Sequence, residues 1–273
     1  ELSKKDYASQ KRVLTSTGIV RGLRRNIQVE FPAMPPVVFN NTVSTAGNFL
    51  INGTKTSLTV NGRLRVGGKV IDKAKHSSVL IEDQQANVPA PRSALIYPDA
   101  NNNGKPDEFN DFVRFNRNLV ASYPVSDVVY VRSDDSYTVV LNDSLDNKRI
   151  VYIEGKEHKG DVTVQFFGSW RENQNLTIIS TGTVTINLAG RMHDNSQLNV
   201  IAWSGYRESA VLPSVYNGVI YTHGKARFDQ IMDNSVTNGQ VIANGGIEVG
   251  EVWSRKTFNY RDTTAAGMPP PGF

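Results

Sequence analysis

A polar stretch in the first half of the chain has the residue types and the spacing of a calcium-binding loop. Residues 97 to 112 read YPDANNNGKPDEFNDF, in which short oxygen-bearing side chains alternate as in the D-x-[DN]-x-[DN]-G pattern. Gly104 stands at position 6, where glycine permits the sharp turn that brings the later ligands round the ion. The predicted ligands of Ca²⁺ are Asp99, Asn101, Asn103, Lys105 through its backbone carbonyl, Asp107, Asn110 and Asp111.

The end of this loop departs from the EF-hand pattern. Asn110 occupies position 12, where an EF-hand has a bidentate glutamate, and Asp111 is the residue that could substitute for it. Without a bidentate ligand we expect an affinity in the extracellular range, about 0.1 to 1 mM. The alternative is a polar turn in which asparagine and aspartate side chains hydrogen-bond their own backbone.

The sequence lacks the common catalytic motifs, which favours a non-enzymatic protein. The absence of cysteine excludes disulfides, thiol nucleophiles and cysteine-ligated zinc sites. The four histidines lack H-E-x-x-H spacing, and there is neither a G-x-S-x-G elbow nor a phosphate-binding glycine loop. A polysaccharide-cleaving β-helix enzyme, with carboxylates or basic groups along one face of the solenoid, is the alternative.

Basic and aromatic residues point to possible contacts with a partner. The formal net charge is +4, and basic residues cluster between residues 4 and 25, where they either contact phosphates or lipid headgroups or form a solvated face. Six aromatic residues either stack on sugars or bases or fill the core, and we favour the core. They are Trp170, Trp203, Tyr206, Tyr216, Tyr221 and Trp253.

The region after residue 37 predicts a mainly β protein whose body is a parallel β-solenoid. Strand-like segments of similar pattern, LTIIS, LNVIA, GVIYT and QVIAN, begin at residues 176, 198, 218 and 240. Glycines recur with them, at Gly182, Gly205, Gly224 and Gly245. A period near 21 residues matches one solenoid coil, with glycine at the corners because positive φ costs it little. An antiparallel sandwich, with turns every 8 to 12 residues, is the alternative.

The N-terminal residues 1 to 30 are predicted to form an amphipathic helix. Residues 2 to 28 contain no proline, their apolar residues recur at helical spacing, and FPAMPP at 31 to 36 ends the pattern. The apolar residues are Val13, Val20, Leu23 and Ile27.

The rest of the chain divides by its texture into four segments. The sequence DEFNDFVRFNRNLV predicts a helix with Phe109, Phe112, Val113 and Asn116 on one side. The segments are a first β-repeat section over 31–95, an inserted α/β segment with the calcium-type loop over 96–160, a second β-solenoid section over 161–260 and a proline-rich tail over 261–273.

Both ends of the chain resemble PilX-like type IV pilus assembly proteins. The segment YASQKRVLTSTGIVRGLRRNI is similar to the part of the pilin helix that follows the membrane half, with Thr17, Gly18, Ile19 and Val20 before a basic helix end. The closing YRDTTAAGMPPPGF is similar to the tail of surface proteins in the same group. Glycine-punctuated β repeats lie between them, and residues 37 to 160 match least well.

This resemblance implies an exported, non-enzymatic, minor-pilin-like surface protein. The N-terminal helix would continue a membrane helix that is missing here, so the protein would be anchored in the inner membrane before assembly and lie in the pilus or at the cell surface afterwards. Its partners would be other pilin subunits and, outside the pilus, extracellular polysaccharide, a host surface or DNA. The function would be pilus assembly, adhesion or DNA uptake, with a polysaccharide-active enzyme or a DNA-binding competence module as alternatives.

Calcium should stabilise the protein if residues 99 to 111 bind it. We expect calcium to raise the melting temperature, because a ligand that binds the native state alone shifts unfolding by mass action. The Asp99→Ala variant should lose this rise. Equal melting temperatures in calcium and in chelator, measured by thermal unfolding, would contradict the site.

Overall fold

The chain forms the parallel β-solenoid that the sequence predicts. The computed structural model describes residues 2–6, 11–20, 23–32, 41–87, 108–141, 145, 147–170, 172–210, 213–230, 234–250 and 253–261. In the solenoid each strand pairs in parallel with the equivalent strand of the next coil, as Ile178 pairs with Val200. The antiparallel sandwich is therefore the wrong alternative for this part of the chain.

The secondary structure begins with three strands outside the solenoid, followed by the first solenoid strands. The three are β1 (Leu2–Asp6), β2 (Lys11–Val20) and β3 (Leu23–Pro32). The next five are β4 (Val43–Thr45), β5 (Phe49–Ile51), β6 (Lys55–Val66), β7 (Val70–Asp72) and β8 (His76–Ala86).

A helix and a short 3₁₀ turn separate these strands from the remaining ones. The helix is α1 (Phe109–Ala121), and the 3₁₀ turn is Val125–Asp127. The next strands are β9 (Val128–Arg132), β10 (Tyr137–Val140), β11 (Ile150–Glu154), β12 (Val162–Trp170), β13 (Asn175–Ser180), β14 (Thr183–Met192) and β15 (Gln197–Ala202). The last are β16 (Gly205–Ala210), β17 (Ser214–Thr222), β18 (Lys225–Gln230), β19 (Asn234–Ala243), β20 (Ile247–Val249) and β21 (Trp253–Asn259).

Three faces surround the interior. The helix face consists of β9, β11, β13, β15, β4 and the C-terminal ends of β17, β19, β6 and β8. The charged face consists of β10, β16, β18, β20, β5, β7 and the first halves of β12 and β14. The groove face consists of β21, the ends of β12 and β14, and the first halves of β17, β19, β6 and β8.

In-register stacking of inward side chains builds the core. Strand side chains alternate between the two sides of a sheet, so every second residue of a rung points inward. On the helix face the inward positions Ile178, Val200, Ile220, Val241 and Val43 follow one another on successive rungs, and all are buried. The result is a continuous aliphatic interior along the solenoid axis.

The order of the rungs in space differs from their order in the chain. Strands β19, β20 and β21 pair with β4, β5 and β6, so the last coil of the C-terminal part stacks on the first coil of the N-terminal part. Strand β9 pairs with β11, and the successive pairings of the helix face place it at the opposite end from β8. The first solenoid strand after α1 therefore lies at the opposite end of the stack from β8.

Helix α1 covers the outward side of the helix face. Its 13 residues span about 20 Å, which corresponds to about four rungs at 4.8 Å each. Phe112, Phe115 and Leu119 recur at helical spacing and are buried. They share an apolar cluster with Tyr152, Ile179, Ile201, Trp203, Val219, Tyr221 and Ile242. The predicted helix is thus confirmed, with Phe112 and Asn116 among its buried residues.

A ladder of asparagines forms one corner of the solenoid. Asparagine stands at the same place on four successive rungs, and the side-chain amides of the last three each donate to the side-chain oxygen of the asparagine before it in the stack, at 2.7 to 2.9 Å. The four residues are Asn217, Asn238, Asn259 and Asn61. Gly218 and Gly239 follow the first two with φ of 143° and 149°. A Cβ at Gly239 would overlap the carbonyl oxygen of Gly218, so glycine is required there.

The helix predicted over residues 2 to 28 is wrong. This region contains β1, β2 and β3, which form an antiparallel sheet in which Leu14 pairs with Val29. The segment RVLTSTGIV is rich in β-branched residues, which favour extended backbone, and these outweigh the helical spacing of a few apolar positions. Among the described residues, no helix has the length and apolar character needed to cross a membrane.

Two further details of the predicted organisation need correction. Residues 128 to 154, which the sequence assigned to an insertion, include β9 and β11, and these strands are rungs of the solenoid. Gly182, Gly224 and Gly245 do lie at stacked corners, where an added Cβ would meet backbone atoms of the neighbouring coil. Gly205 is one residue out of this column, because it begins β16 and pairs with Thr183 and Lys225.

Substituting a corner glycine should destabilise the protein much more than substituting Gly205. We expect Gly239→Ala to lower the free energy of unfolding by at least about 1–3 kcal/mol, because alanine would be strained at this φ and would overlap Gly218. Gly205→Ala is the matched control, since the nearest atom to its added Cβ is 3.3 Å away. Its cost should stay within about 1 kcal/mol in urea unfolding. Equal losses for both variants would contradict this account of the corner.

Candidate ligand-binding groove

The predicted calcium ligands lie mostly outside the described residues. Asp99, Asn101, Asn103, Lys105 and Asp107 belong to that part of the chain. The other two lie in the first turn of α1, where Asn110 is exposed and Asp111 is completely buried. Across the residues that the structure describes, no three acidic or histidine side chains are close enough together to hold a metal ion. Calcium binding by residues 99 to 111 stays a prediction.

Five of the six aromatic residues singled out in the sequence are buried. Trp170, Trp203, Tyr206, Tyr216 and Tyr221 all belong to the core or to the cluster under α1. Trp203, for example, meets the ring of Phe112 with 5.4 Å between centroids. Trp253 is different, because 53% of its surface is exposed. It is therefore the member of this set that is available to a ligand.

Trp253 lies in a groove built from three neighbouring rungs of the groove face. The groove has a volume of about 360 Å³. Three rows of three residues line it, each row paired across β21, β6 and β8. The rows are Trp253, Lys55 and His76; Ser254, Thr56 and Ser77; and Arg255, Ser57 and Ser78.

The turns before these three strands place the first row. Gly250 has a φ of 98°, and a Cβ there would overlap the carbonyl oxygen of Asn52 in the stacked turn. Asn52 in turn accepts a hydrogen bond from the Thr56 hydroxyl and donates from its side chain to Glu248. Backbone bonds from His76 to Thr54, at 3.1 Å, join the next turn to this one. The turns are therefore stacked on each other, and the strands begin in register.

The charge of the groove is positive. Lys55 and Arg255 are cations, His76 lies beside them, and none of the nine lining residues carries a carboxylate. No ion pair to Lys55, His76 or Arg255 exists within the described part of the chain. By contrast, on the charged face Arg207 binds Asp229 with 2.6 Å between nitrogen and oxygen.

Hydroxyl groups occupy most of the remaining wall. Ser57 is partly exposed and Ser78 exposed, and each can donate and accept a hydrogen bond. Ser254 is buried, yet its Oγ makes no hydrogen bond to the described protein atoms. The arrangement can thus hold a ring against Trp253, neutralise an anion and exchange hydrogen bonds with a polyhydroxylated ligand.

Comparison with known proteins gives structural neighbours and no sequence relatives. No family model matches the chain, and no curated protein matches its sequence. An ice-binding protein from an Antarctic biological consortium superposes with a TM-score of 0.42 at 13% identity, over 83% of this chain and 90% of that one. An ice-binding protein from an Arctic yeast gives a TM-score of 0.37 at 11% identity, over 84% of this chain and 94% of that one.

The basic side of the groove was not predicted from the sequence. Trp253 entered only as one of six aromatics and His76 only as one of four histidines without metal-ligand spacing, and Lys55 and Arg255 were not singled out. One signal was present: KTSL begins at residue 55 and HSSV at residue 76, one solenoid period apart and with the same pattern. Such a spacing places equivalent residues on adjacent rungs.

A second polar cluster, around Glu154, fastens α1 to the solenoid. Arg117 of the helix donates to both carboxylate oxygens, at 2.8 and 2.5 Å, and the Tyr130 hydroxyl donates at 2.7 Å. Burial alone raises the pKa of Glu154, but the hydrogen bonds from Arg117 and Tyr130 outweigh it, so the pKa lies below its ordinary value. Both oxygens are engaged, which gives Glu154 a structural role.

His223 is the histidine whose environment opposes protonation. Its ring stacks on Trp203, with 3.9 Å between centroids and 6° between the planes. Burial lowers its pKa, and the nearby His158 lowers it further. A lowered native-state pKa means that the unfolded chain binds the proton more readily, so stability is lost as the pH falls below the ordinary value of about 6.5.

The pH dependence of stability should decrease when His223 is replaced by phenylalanine. His223→Phe keeps an aromatic ring on Trp203 and removes the titrating group. Wild type should be less stable at pH 5.5 than at pH 7.5 in urea unfolding, and the variant should show a smaller difference. If the two proteins lose the same free energy of unfolding between these pH values, the His223 contribution is refuted.

Proposed function

We propose that this protein is a non-enzymatic recognition protein of the cell surface, whose solenoid holds a binding groove in a fixed geometry. The observation that carries the proposal is the groove around Trp253. Its exposed aromatic ring, positive charge and hydroxyls lie on three paired strands of a stacked sheet. Groups on rigid strands are held more closely in place than groups on loops, so binding needs little reorganisation.

The repetitive architecture suits a polymeric ligand. Neighbouring rungs stand about 4.8 Å apart, so equivalent side chains recur at that interval along the axis. A chain of repeating units can therefore meet similar groups on adjacent rungs. Extracellular polysaccharide is the partner class that this arrangement favours among those implied by the sequence.

The cellular context that we propose is a type IV pilus or a related system. It is supported by the resemblance of the two chain ends to PilX-like proteins. In this context the protein is exported, meets other pilin subunits, and contributes to pilus assembly, adhesion or DNA uptake. The N-terminal part of this resemblance implied a helix, and the structure has the strands β1, β2 and β3 there. The recognition role has separate support in the groove.

Polysaccharide cleavage is the second candidate function. The observation that favours it is the presence of Lys55, His76 and Arg255 in one groove, because basic side chains can abstract a proton as well as bind an anion. Binding and cleavage by the same groove differ in their products and can be separated by one assay.

Binding without turnover is the expected outcome of that assay. The intact chain is incubated with polygalacturonate, with neutral dextran and with double-stranded DNA. Binding is measured by calorimetry and cleavage by the appearance of new reducing ends. We expect binding to at least one polymer, with no more reducing ends than in protein-free controls.

Two results would contradict the proposed function. New reducing ends that increase with protein concentration would establish the enzyme instead. Failure to bind any of the three polymers, by a protein shown to be folded, would remove the recognition role.

A further inference from the structure

We propose that the Trp253 groove binds the acidic sugar units of a polysaccharide, a step that rests on the recognition function proposed above. Trp253 provides the surface on which the sugar ring stacks. Lys55 and Arg255 neutralise the carboxylate or sulfate of the same unit. The Ser57 and Ser78 hydroxyls hydrogen-bond the sugar hydroxyls.

The exposure of Trp253 is the first argument. The other two tryptophans of the chain are at most 6% exposed, whereas Trp253 exposes 53% of its surface beside polar groups. Leaving so large an apolar ring in water forgoes the free energy of its burial. The negative face of the indole attracts the partly positive C–H groups on the flat side of a sugar ring, while the ligand buries the exposed apolar area.

The position of the two cations relative to Trp253 is the second argument. Lys55 pairs with Trp253 on the neighbouring rung, about 4.8 Å away along the stack. Arg255 lies two residues further along the same strand, on the same side of the sheet and about 7 Å from Trp253. Stacking surface and cations are therefore separated by about the width of one sugar ring, in two perpendicular directions.

The hydroxyl groups of the groove favour an acidic sugar over an anion that carries no hydroxyl groups. Ser57 and Ser78 stand on the rungs next to Arg255, in the same row. Both side chains lie on the same outward side of the sheet as Trp253 and Arg255, because strand side chains alternate. A hydroxyl can both donate and accept, as the hydroxyls of a sugar require.

Double-stranded DNA fits the groove less well. Proteins that bind DNA tightly contact about 6–10 phosphates, and this groove supplies two permanent cations and one histidine. The groove is also only three strands wide, or about 10 Å between its outer rungs. DNA is accordingly the competing ligand in the test.

The test measures binding of polygalacturonate to the intact chain and to four variants. Trp253→Ala and Arg255→Ala remove the stacking surface and one cation. Tyr260→Ala and Arg114→Ala are matched controls, because they remove an exposed aromatic residue and an exposed arginine outside the groove. Urea unfolding of each variant establishes that it is folded.

We expect each groove variant to weaken the dissociation constant for polygalacturonate at least about tenfold, as the loss of one stacking or ionic contact implies. The control variants should stay within about twofold of wild type. Polygalacturonate should also protect wild-type tryptophan fluorescence from quenching by acrylamide, because Trp253 is the exposed tryptophan. Raising the salt concentration should weaken binding.

The possible failures are distinguishable. If the groove variants bind polygalacturonate as tightly as wild type does, the groove is not the binding site, and the recognition function stands. Tighter binding of DNA than of polygalacturonate, weakened by the groove variants, would overturn the acidic-sugar assignment. Binding of dextran as tight as that of polygalacturonate would overturn the role of the cations. A folded wild-type protein that binds none of these polymers would refute both proposals.

Discussion

The whole structure depends on one joint, the stacking of the last C-terminal coil (β19, β20 and β21) on the first N-terminal coil (β4, β5 and β6). Residues 253–259 pair in parallel with residues 55–61, about 200 residues earlier in the chain. Backbone hydrogen bonds, the packing of Phe258 over Val60 in the core, and the bond from Asn61 to Asn259 at 2.7 Å all act at this joint. Without it the two parts of the solenoid would each end in an unpaired rung, and unpaired strand edges invite pairing with other chains. We expect contacts between residues so far apart in the chain to slow folding, because closing a long loop costs more conformational entropy.

Helix α1 lies against the coils that stack on the N-terminal part of the solenoid. The C-terminal coils stack on the N-terminal ones, so the strands after α1 begin with β9 at the far end of the stack and proceed rung by rung to β4. Helix α1 precedes β9 in the chain and covers the outward apolar column of the helix face. Arg117 and Glu154 fix it there, and the ion pair gains strength because the carboxylate is only 7% exposed. The apolar residues of α1 thus belong to the second apolar cluster of the protein.

A buried ion pair next to the joint contributes to its specificity. Lys256, on the rung that pairs with β6, donates to Glu208 at 2.6 Å and to Ser235 at 2.8 Å, and both charged side chains are fully buried. Burial lowers the pKa of Lys256, while Glu208 opposes this change. Removing one partner would leave an uncompensated charge in an aliphatic interior, whereas the pair itself adds little net stability. A shift of register at β21 would separate these groups, so the pair disfavours misaligned stacking.

Much of the solenoid could be predicted from the sequence because its signals are local. Glycine punctuation and alternating apolar residues indicate coil length and strand direction within about 20 residues, and the spacing from Phe112 to Asn116 indicates the helix in the same way. The N-terminal helix was predicted wrongly because a few apolar positions at helical spacing weigh less than a run of β-branched residues. The groove could not be predicted, because Trp253 and Lys55 become neighbours only through the stacking of β21 on β6. The sequence by itself determined the repeating unit. Only the tertiary structure decided which units meet, because that choice depends on pairing and packing between distant segments.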